Sequence, residues 1–214
     1  MGYQVKEIYY SLQGEGAEAG RPAVFLRFAG CNLWSGRAAD RRTATCRFCD
    51  TDFVGTDGPG GGRFADAGAL AVAVAGQWPY DDAASRAARY VVVTGGEPAL
   101  QVDDPLIRAL KAEGFRIGIE TNGTRSLPGG LDWICVSPKA GTALTQVAGD
   151  ELKLVFPQRG AEPERFQHLA FRHFILQPLD NADRDRHTAL AVQYCLANPR
   201  WRLGLQLHKV LGLP

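Results

Sequence analysis

Neither sign of charge is in useful excess in this chain: 24 Lys and Arg stand against 23 Asp and Glu over 214 residues. So close a balance leaves no basic tract of the kind that grips a phosphate backbone, and nucleic acid is not expected as a ligand. Long apolar runs are missing as well. No window approaches the roughly 18 residues a membrane-spanning helix needs, and the opening MGYQVKEIYYSLQGEG has no basic stretch leading into an apolar one. These absences predict a cytoplasmic protein with no membrane partner. Histidine is sparse, at 168, 173, 187 and 208 without paired ligand spacing, and cysteine is limited to five. An odd, clustered set of cysteines in a reducing compartment argues for metal binding or redox chemistry rather than a disulfide framework.

What is there begins with that cluster. Cys31, Cys46 and Cys49 are separated by fourteen and then two residues in AGCNLWSGRAADRRTATCRFCDTDF. Three thiolates could belong to a zinc site completed by Asp50, a histidine or Cys135, could be incidental, or could hold an iron–sulfur cluster. With three cysteines, a four-iron cluster keeps one iron open for chemistry. Cys135, inside an apolar run, and Cys195, in a helical stretch, read as packing residues.

Hydrophobic content of 45% in a chain of this length predicts one compact domain over 1–214. Apolar, β-branched runs recur in AVFLRF, YVVVT, FRIGIE, DWICVS, ELKLVF, HFILQ and WRLGLQ, as expected of buried parallel strands. Helix-period segments fall at 66–78 (Leu70, Val74, Trp78), 103–113 (Leu106, Ile107, Leu110) and 185–197 (Leu190, Tyr194, Leu196), with Asp66 and Asp103 as N-caps and Gly114 as a stop. The segments TNGTRSLPGGL and PKAGTALTQVAGD carry no helical pattern, so crossover helices are missing. A full eightfold barrel takes roughly 250 residues. The expected fold is therefore α/β, an incomplete (β/α) barrel with few helices and with ligands at the C-terminal strand ends. The Gly-rich GTDGPGGGR, 55–63, lacks the Lys-Ser/Thr ending of a phosphate loop and reads as a mobile connection.

Polar and glycine residues cluster at those strand ends: AGC, TGGEP, ETNG, SPK and QPLD. Cys46 and Cys49, with Phe48 between them, resemble the second half of the cysteine motif of radical S-adenosylmethionine (SAM) enzymes, and TGGEP is similar to that superfamily's SAM loop. The usual three-residue spacing between the first two cysteines is replaced here by fourteen. That insertion, near 31–63, with SLQGEG before it and CDTDF within it, resembles the 7-carboxy-7-deazaguanine synthase family over nearly the whole chain.

The resemblance implies a radical SAM fold and a ring-contracting lyase. Its substrate would be 6-carboxy-5,6,7,8-tetrahydropterin, losing a hydrogen atom from C6, contracting one ring and releasing ammonia to give 7-carboxy-7-deazaguanine for the queuosine and 7-deazapurine pathway. Cys31, Cys46 and Cys49 would hold a 4Fe-4S cluster. Gly95, Gly96, Glu97, Phe48, Glu120, Asn122, Ser137, Pro138, Lys139 and Gln177 would bind SAM, with Glu97 accepting from its ammonium. Leu12, Gln13, Gly14 and Glu15 would read the donor-rich edge of the pterin, Arg27 its carboxylate, and Thr94, His208 and the carboxylate of Pro214 would complete the pocket. Thr51 would offer a hard oxygen to Mg²⁺ bridging to the substrate. An electron donor such as a flavodoxin-type protein, and a homodimer, are the implied partners.

Two rival readings keep part of this pattern. A radical SAM activating enzyme would share the cluster and SAM loop but act on a protein, and a zinc-stabilised binding module would need a fourth ligand.

Overall fold

The computed structural model describes residues 2–214. One nine-stranded sheet organises them. It comprises β1 (Tyr3–Leu12), β2 (Pro22–Phe28), β3 (Gly62–Phe64), β4 (Tyr90–Gly95), β5 (Arg116–Thr121), β6 (Trp133–Val136), β7 (Ala148–Phe156), β8 (Ala170–Pro178) and β9 (Trp201–Leu203). The strand order is β3-β1-β2-β4-β5-β6-β7-β8-β9, with β3 and β9 as free edges, so the sheet is open. From β2 to β9 every neighbouring pair is parallel, whereas β1 runs antiparallel to both β2 and β3. The seven apolar runs of the sequence are these seven parallel strands. β1 and β3 were not foreseen: the alternation in YQVKEIYYSL is broken at the irregularity between Val5 and Glu7, and a three-residue strand has no period to read.

Among the described residues, five α-helices accompany the nine strands: α1 (Ala67–Ala75), α2 (Ala83–Ala87), α3 (Asp104–Ala112), α4 (Arg184–Ala197) and α5 (Leu207–Leu211). The side chains of Asp66 and Asp103 accept from Ala69 N and Leu106 N, capping α1 and α3 as expected. No α-helix lies between β5 and β6 or β6 and β7 among the described residues, which is where the sequence lacked the helical period, and none lies between β7 and β8, for which the sequence set no expectation. The face of α4 differs from the expectation. Leu196 is exposed and His187 and Ala191 are buried, because the helix packs on β8 and β9 through 187, 191, 194 and 195. Nor is 55–63 a mere connection: Ile8 N donates to Pro59 O and Gly58 N to Lys6 O, fastening it along β1 before it becomes β3.

Alternation with period two decides what each face of the sheet does. Val24, Leu26, Phe28, Val91, Val93, Ile117 and Ile119 face α1 and α3 and form the principal core, and Leu152, Leu154 and Leu176 pack with α4 residues in a second one. The intervening residues of the same strands, including Arg27, Thr94, Glu120, Lys153 and Gln177, point to the opposite face and line cavities there. The sheet thus keeps its oil on one side and its chemistry on the other.

Candidate active site

Two adjoining cavities occupy that second face. The first, about 210 Å³, is walled by the cysteine loop and by the C-terminal ends of β4, β5, β6 and β8. The second, about 310 Å³, lies against β1, β2 and the C-terminal segment. Glu15, Thr51, Thr94, Glu120 and Gln206 are among the residues that line both.

Cys31, Cys46 and Cys49 all line the first cavity. No group of three His, Cys, Asp or Glu side chains among the described residues converges on one metal ion. A four-iron cluster does not ask for that, since each thiolate takes a different iron. Leu33 N donates to Cys31 Sγ at 3.4 Å, the kind of contact that stabilises a cysteinate. A hydrogen bond from Cys46 pulls the Cys49 thiol down to about 6, and the same bond holds Cys46 as the thiol. The 32–45 insertion is an irregular loop with a short 3₁₀ turn at Ala38–Asp40. It folds because Trp34 is buried edge-on against Phe53, its Nε1 donating to Arg37 O, with Arg41 stacked on its ring at 4.0 Å.

Of the residues expected at SAM, Gly95, Gly96, Phe48, Glu120, Asn122, Ser137, Lys139 and Gln177 line this cavity, while Glu97 and Pro138 lie behind its wall. Glu97 is fully buried, and its carboxylate accepts from Ala99 N (2.9 Å), Thr121 Oγ1 (2.6 Å) and Asn122 N (2.7 Å). It fastens the TGGEP loop to the end of β5 rather than offering a free anion. The glycines have a structural reason too. A Cβ at Gly96 would come within 2.7 Å of Cys31 Cβ, so close packing against the cysteine loop excludes a side chain there. Lys139 Nζ donates to Ser137 O (2.6 Å) and Oγ (2.7 Å), and burial lowers its pKa. Gln177 Oε1 is buried with no hydrogen-bond partner. A cavity-lining amide oxygen left unpaired calls for a donor from a ligand.

All eight residues expected at the substrate, Leu12, Gln13, Gly14, Glu15, Arg27, Thr94, His208 and Pro214, line the second cavity. Arg27 Nε donates to Glu7 at 2.7 Å and Nη2 to Tyr9 Oη at 3.1 Å, which holds the guanidinium in the wall. Gly14 has no room for a Cβ, which would stand 2.8 Å from His208 Cγ; its close approach is to α5. Leu207 N donates to Gly14 O (2.8 Å), and Lys209 bridges Asp50 and Asp180 at 2.6 Å each. The left-handed Gly212 then turns the last residues back toward the cavity. Thr51 sits where the cavities meet, while Asp52, the more obvious metal ligand by charge, is paired with Lys6 at 2.9 Å.

Sequence reasoning missed Lys153, Glu151 and Gln206. The signal for the first two was present: in ELKLVF, Glu151 and Lys153 are two apart in an otherwise apolar strand, which puts both charges on one face. Gln206 carried no such signal.

No protein-family model matches the chain. It is 61% identical over 214 residues to 7-carboxy-7-deazaguanine synthase of Bordetella pertussis and 62% identical over 213 residues to that of Bradyrhizobium diazoefficiens, the alignments covering all of each protein. A crystal structure of QueE from Escherichia coli is similar with a TM-score of 0.68 and 27% identity, over 97% of this chain and 95% of that one. Full-length identity of this order, on a fold whose strand-end cavities gather the expected residues, establishes that the chain belongs to the 7-carboxy-7-deazaguanine synthase family.

Proposed function

We propose that the chain converts 6-carboxy-5,6,7,8-tetrahydropterin to 7-carboxy-7-deazaguanine with loss of ammonia, as a radical SAM lyase of queuosine and 7-deazapurine biosynthesis. The observation that carries this reading is the pair of adjoining cavities, one ringed by three cysteines and the other by every expected pterin contact. The donor sets fit. Cys31, Cys46 and Cys49 would hold a 4Fe-4S cluster, and the unpaired Gln177 Oε1, Ser137, Asn122 and Lys139 would face SAM beside it. Together the bound cluster and SAM would supply the one-electron chemistry that removes a hydrogen atom from the substrate. The chain's own part is to bind, orient and enclose. Glu15 and Gln13 would take the donor-rich edge of the pterin, Arg27 its carboxylate through a planar fork, and Thr51 would present its hydroxyl to a Mg²⁺ shared with that carboxylate. His208 and the terminal carboxylate of Pro214 would close the pocket over the ring. By the same reading residues 1–214 form one domain with a cluster-holding insertion near 31–63. The family resemblance supports a cytoplasmic homodimer served by a flavodoxin-type electron donor.

The test is anaerobic incubation of the reduced, cluster-reconstituted protein with SAM, Mg²⁺ and 6-carboxytetrahydropterin, read by mass spectrometry. The expected product is 7-carboxy-7-deazaguanine. SAM cleavage without that product would reject the substrate and keep the cofactor chemistry; no cleavage at all would reject both.

A further inference from the structure

One buried cation that no strand-end motif pointed to lines the first cavity and holds two carboxylates, Glu15 and Glu120, that line both. Lys153, in the middle of β7, has a side chain only 7% exposed, and its ammonium contacts Glu15 Oε2 at 2.7 Å and Glu120 Oε2 at 2.6 Å. The remaining oxygens of both carboxylates are also engaged: Gln206 Nε2 donates to Glu15 Oε1 (2.8 Å) and Gln13 Nε2 to Glu120 Oε1 (3.1 Å). A continuous chain, Gln13–Glu120–Lys153–Glu15–Gln206, therefore ties the end of β1 to β5, β7 and the segment before α5. We propose that Lys153 is a positioning residue for the pterin pocket, which, anchored on Glu120, holds Glu15 where it reads the heterocycle's edge and keeps that carboxylate anionic. The inference rests on the assignment of Gln13 and Glu15 to that edge.

The surroundings make one cation serve several acids. Glu151 lies beside it on β7, its carboxylate held by Ala17 N at 2.6 Å and by Cys135 Sγ of β6 at 3.4 Å. Tyr90 of β4 faces Glu120, Lys139 approaches Lys153 from the loop after β6, and His208 of α5 is a further neighbour of Glu15. Burial alone would raise the Glu15 carboxyl, but the Lys153 ammonium outweighs it and pulls the group down to about 2. Removing the ammonium leaves burial opposed only by the Gln206 bond and His208, and moves the Glu15 carboxyl upward.

The test compares pterin and SAM binding to the reconstituted holoenzyme by anaerobic calorimetry between pH 8 and 5, in wild type, Lys153→Met, Lys153→Arg, Glu15→Gln and the Glu15→Gln/Lys153→Met double variant. Lys153→Met should bind pterin progressively more weakly as pH falls, by up to about tenfold per unit once Glu15 protonates, with SAM affinity held within about threefold. In Glu15→Gln the loss should be flat with pH, and adding Lys153→Met to it should cost less than about threefold more, because the two act as a unit. Wild-type pterin affinity and pH profile in Lys153→Met, or equal loss of SAM and pterin binding, overturns the positioning role. Wild-type affinity in Glu15→Gln instead overturns the pterin-edge assignment itself. If circular dichroism shows that Lys153→Met does not fold, Lys153→Arg decides. Charge kept but shape changed predicts a flat profile with pterin binding weakened about three- to tenfold, and wild-type affinity overturns the proposal.

Discussion

Glu97 is a carboxylate with no exposed surface and three hydrogen-bond donors, two of them backbone or side-chain groups at the start of the β5 exit. Its replacement by Gln swaps an acceptor oxygen for an NH₂ that faces other donors. Glu97→Gln should lower the unfolding free energy by about 2–3 kcal/mol in urea titrations at pH 7, with cluster loading impaired as the TGGEP loop loosens. At the cysteines, changing Cys31, Cys46 or Cys49 singly to Ala should abolish both the visible absorbance of the reconstituted cluster and turnover. An active single variant would remove that residue from the ligand set. For Thr51→Ala the expected result is a weaker response of rate to Mg²⁺ with the cluster spectrum unchanged.

At the scale of elements, α5 is short and carries no buried residue of its own, so its placement depends on a few polar ties. Lys209 supplies two of them, to Asp50 in the cysteine loop and Asp180 after β8, and both pairs are partly solvent-exposed. Such pairs contribute roughly 0.2–1 kcal/mol each to folding. Lys209→Ala should therefore leave the melting temperature nearly unchanged while raising the pterin KM by roughly fivefold, since His208 and Pro214 ride on the released segment. Residues appended after Pro214 should act in the same direction. Indifference of KM to both changes would show that the segment does not close the pocket.

For the whole molecule, the ionic chain through Lys153 links folding to pH. Glu15 is depressed in the folded state to about 2, so its contribution is complete above its unfolded value and is lost as pH falls through the folded one. The stability difference between wild type and Glu15→Gln, measured by urea unfolding, should be on the order of 3 kcal/mol at pH 7 and should shrink between about pH 4.5 and 2. A difference that does not change over that window would separate Glu15 from acid unfolding.

Much of this was legible in the sequence because it depends on local rules. Period and composition marked the seven parallel strands, the Asp66 and Asp103 caps marked two helix starts, and the patternless stretches 121–131 and 138–150 marked two missing crossovers. The strand-end positions followed, since a parallel sheet brings its C-terminal ends together whatever the loops do. Only the tertiary structure decided the rest. It showed that the carboxylate of Glu97 is consumed by the Thr121 hydroxyl of β5 and the backbone N–H groups of Asn122 and Ala99, that Gly14 and Gly96 lack side chains to admit His208 and Cys31, and that Lys153 in mid-strand unites residues 15 and 120. Hydrogen-bond and ion-pair partners on or just beyond different strands, from 24 to 138 positions apart, leave no period in the chain, because only the lateral assembly of the sheet brings them within 3 Å.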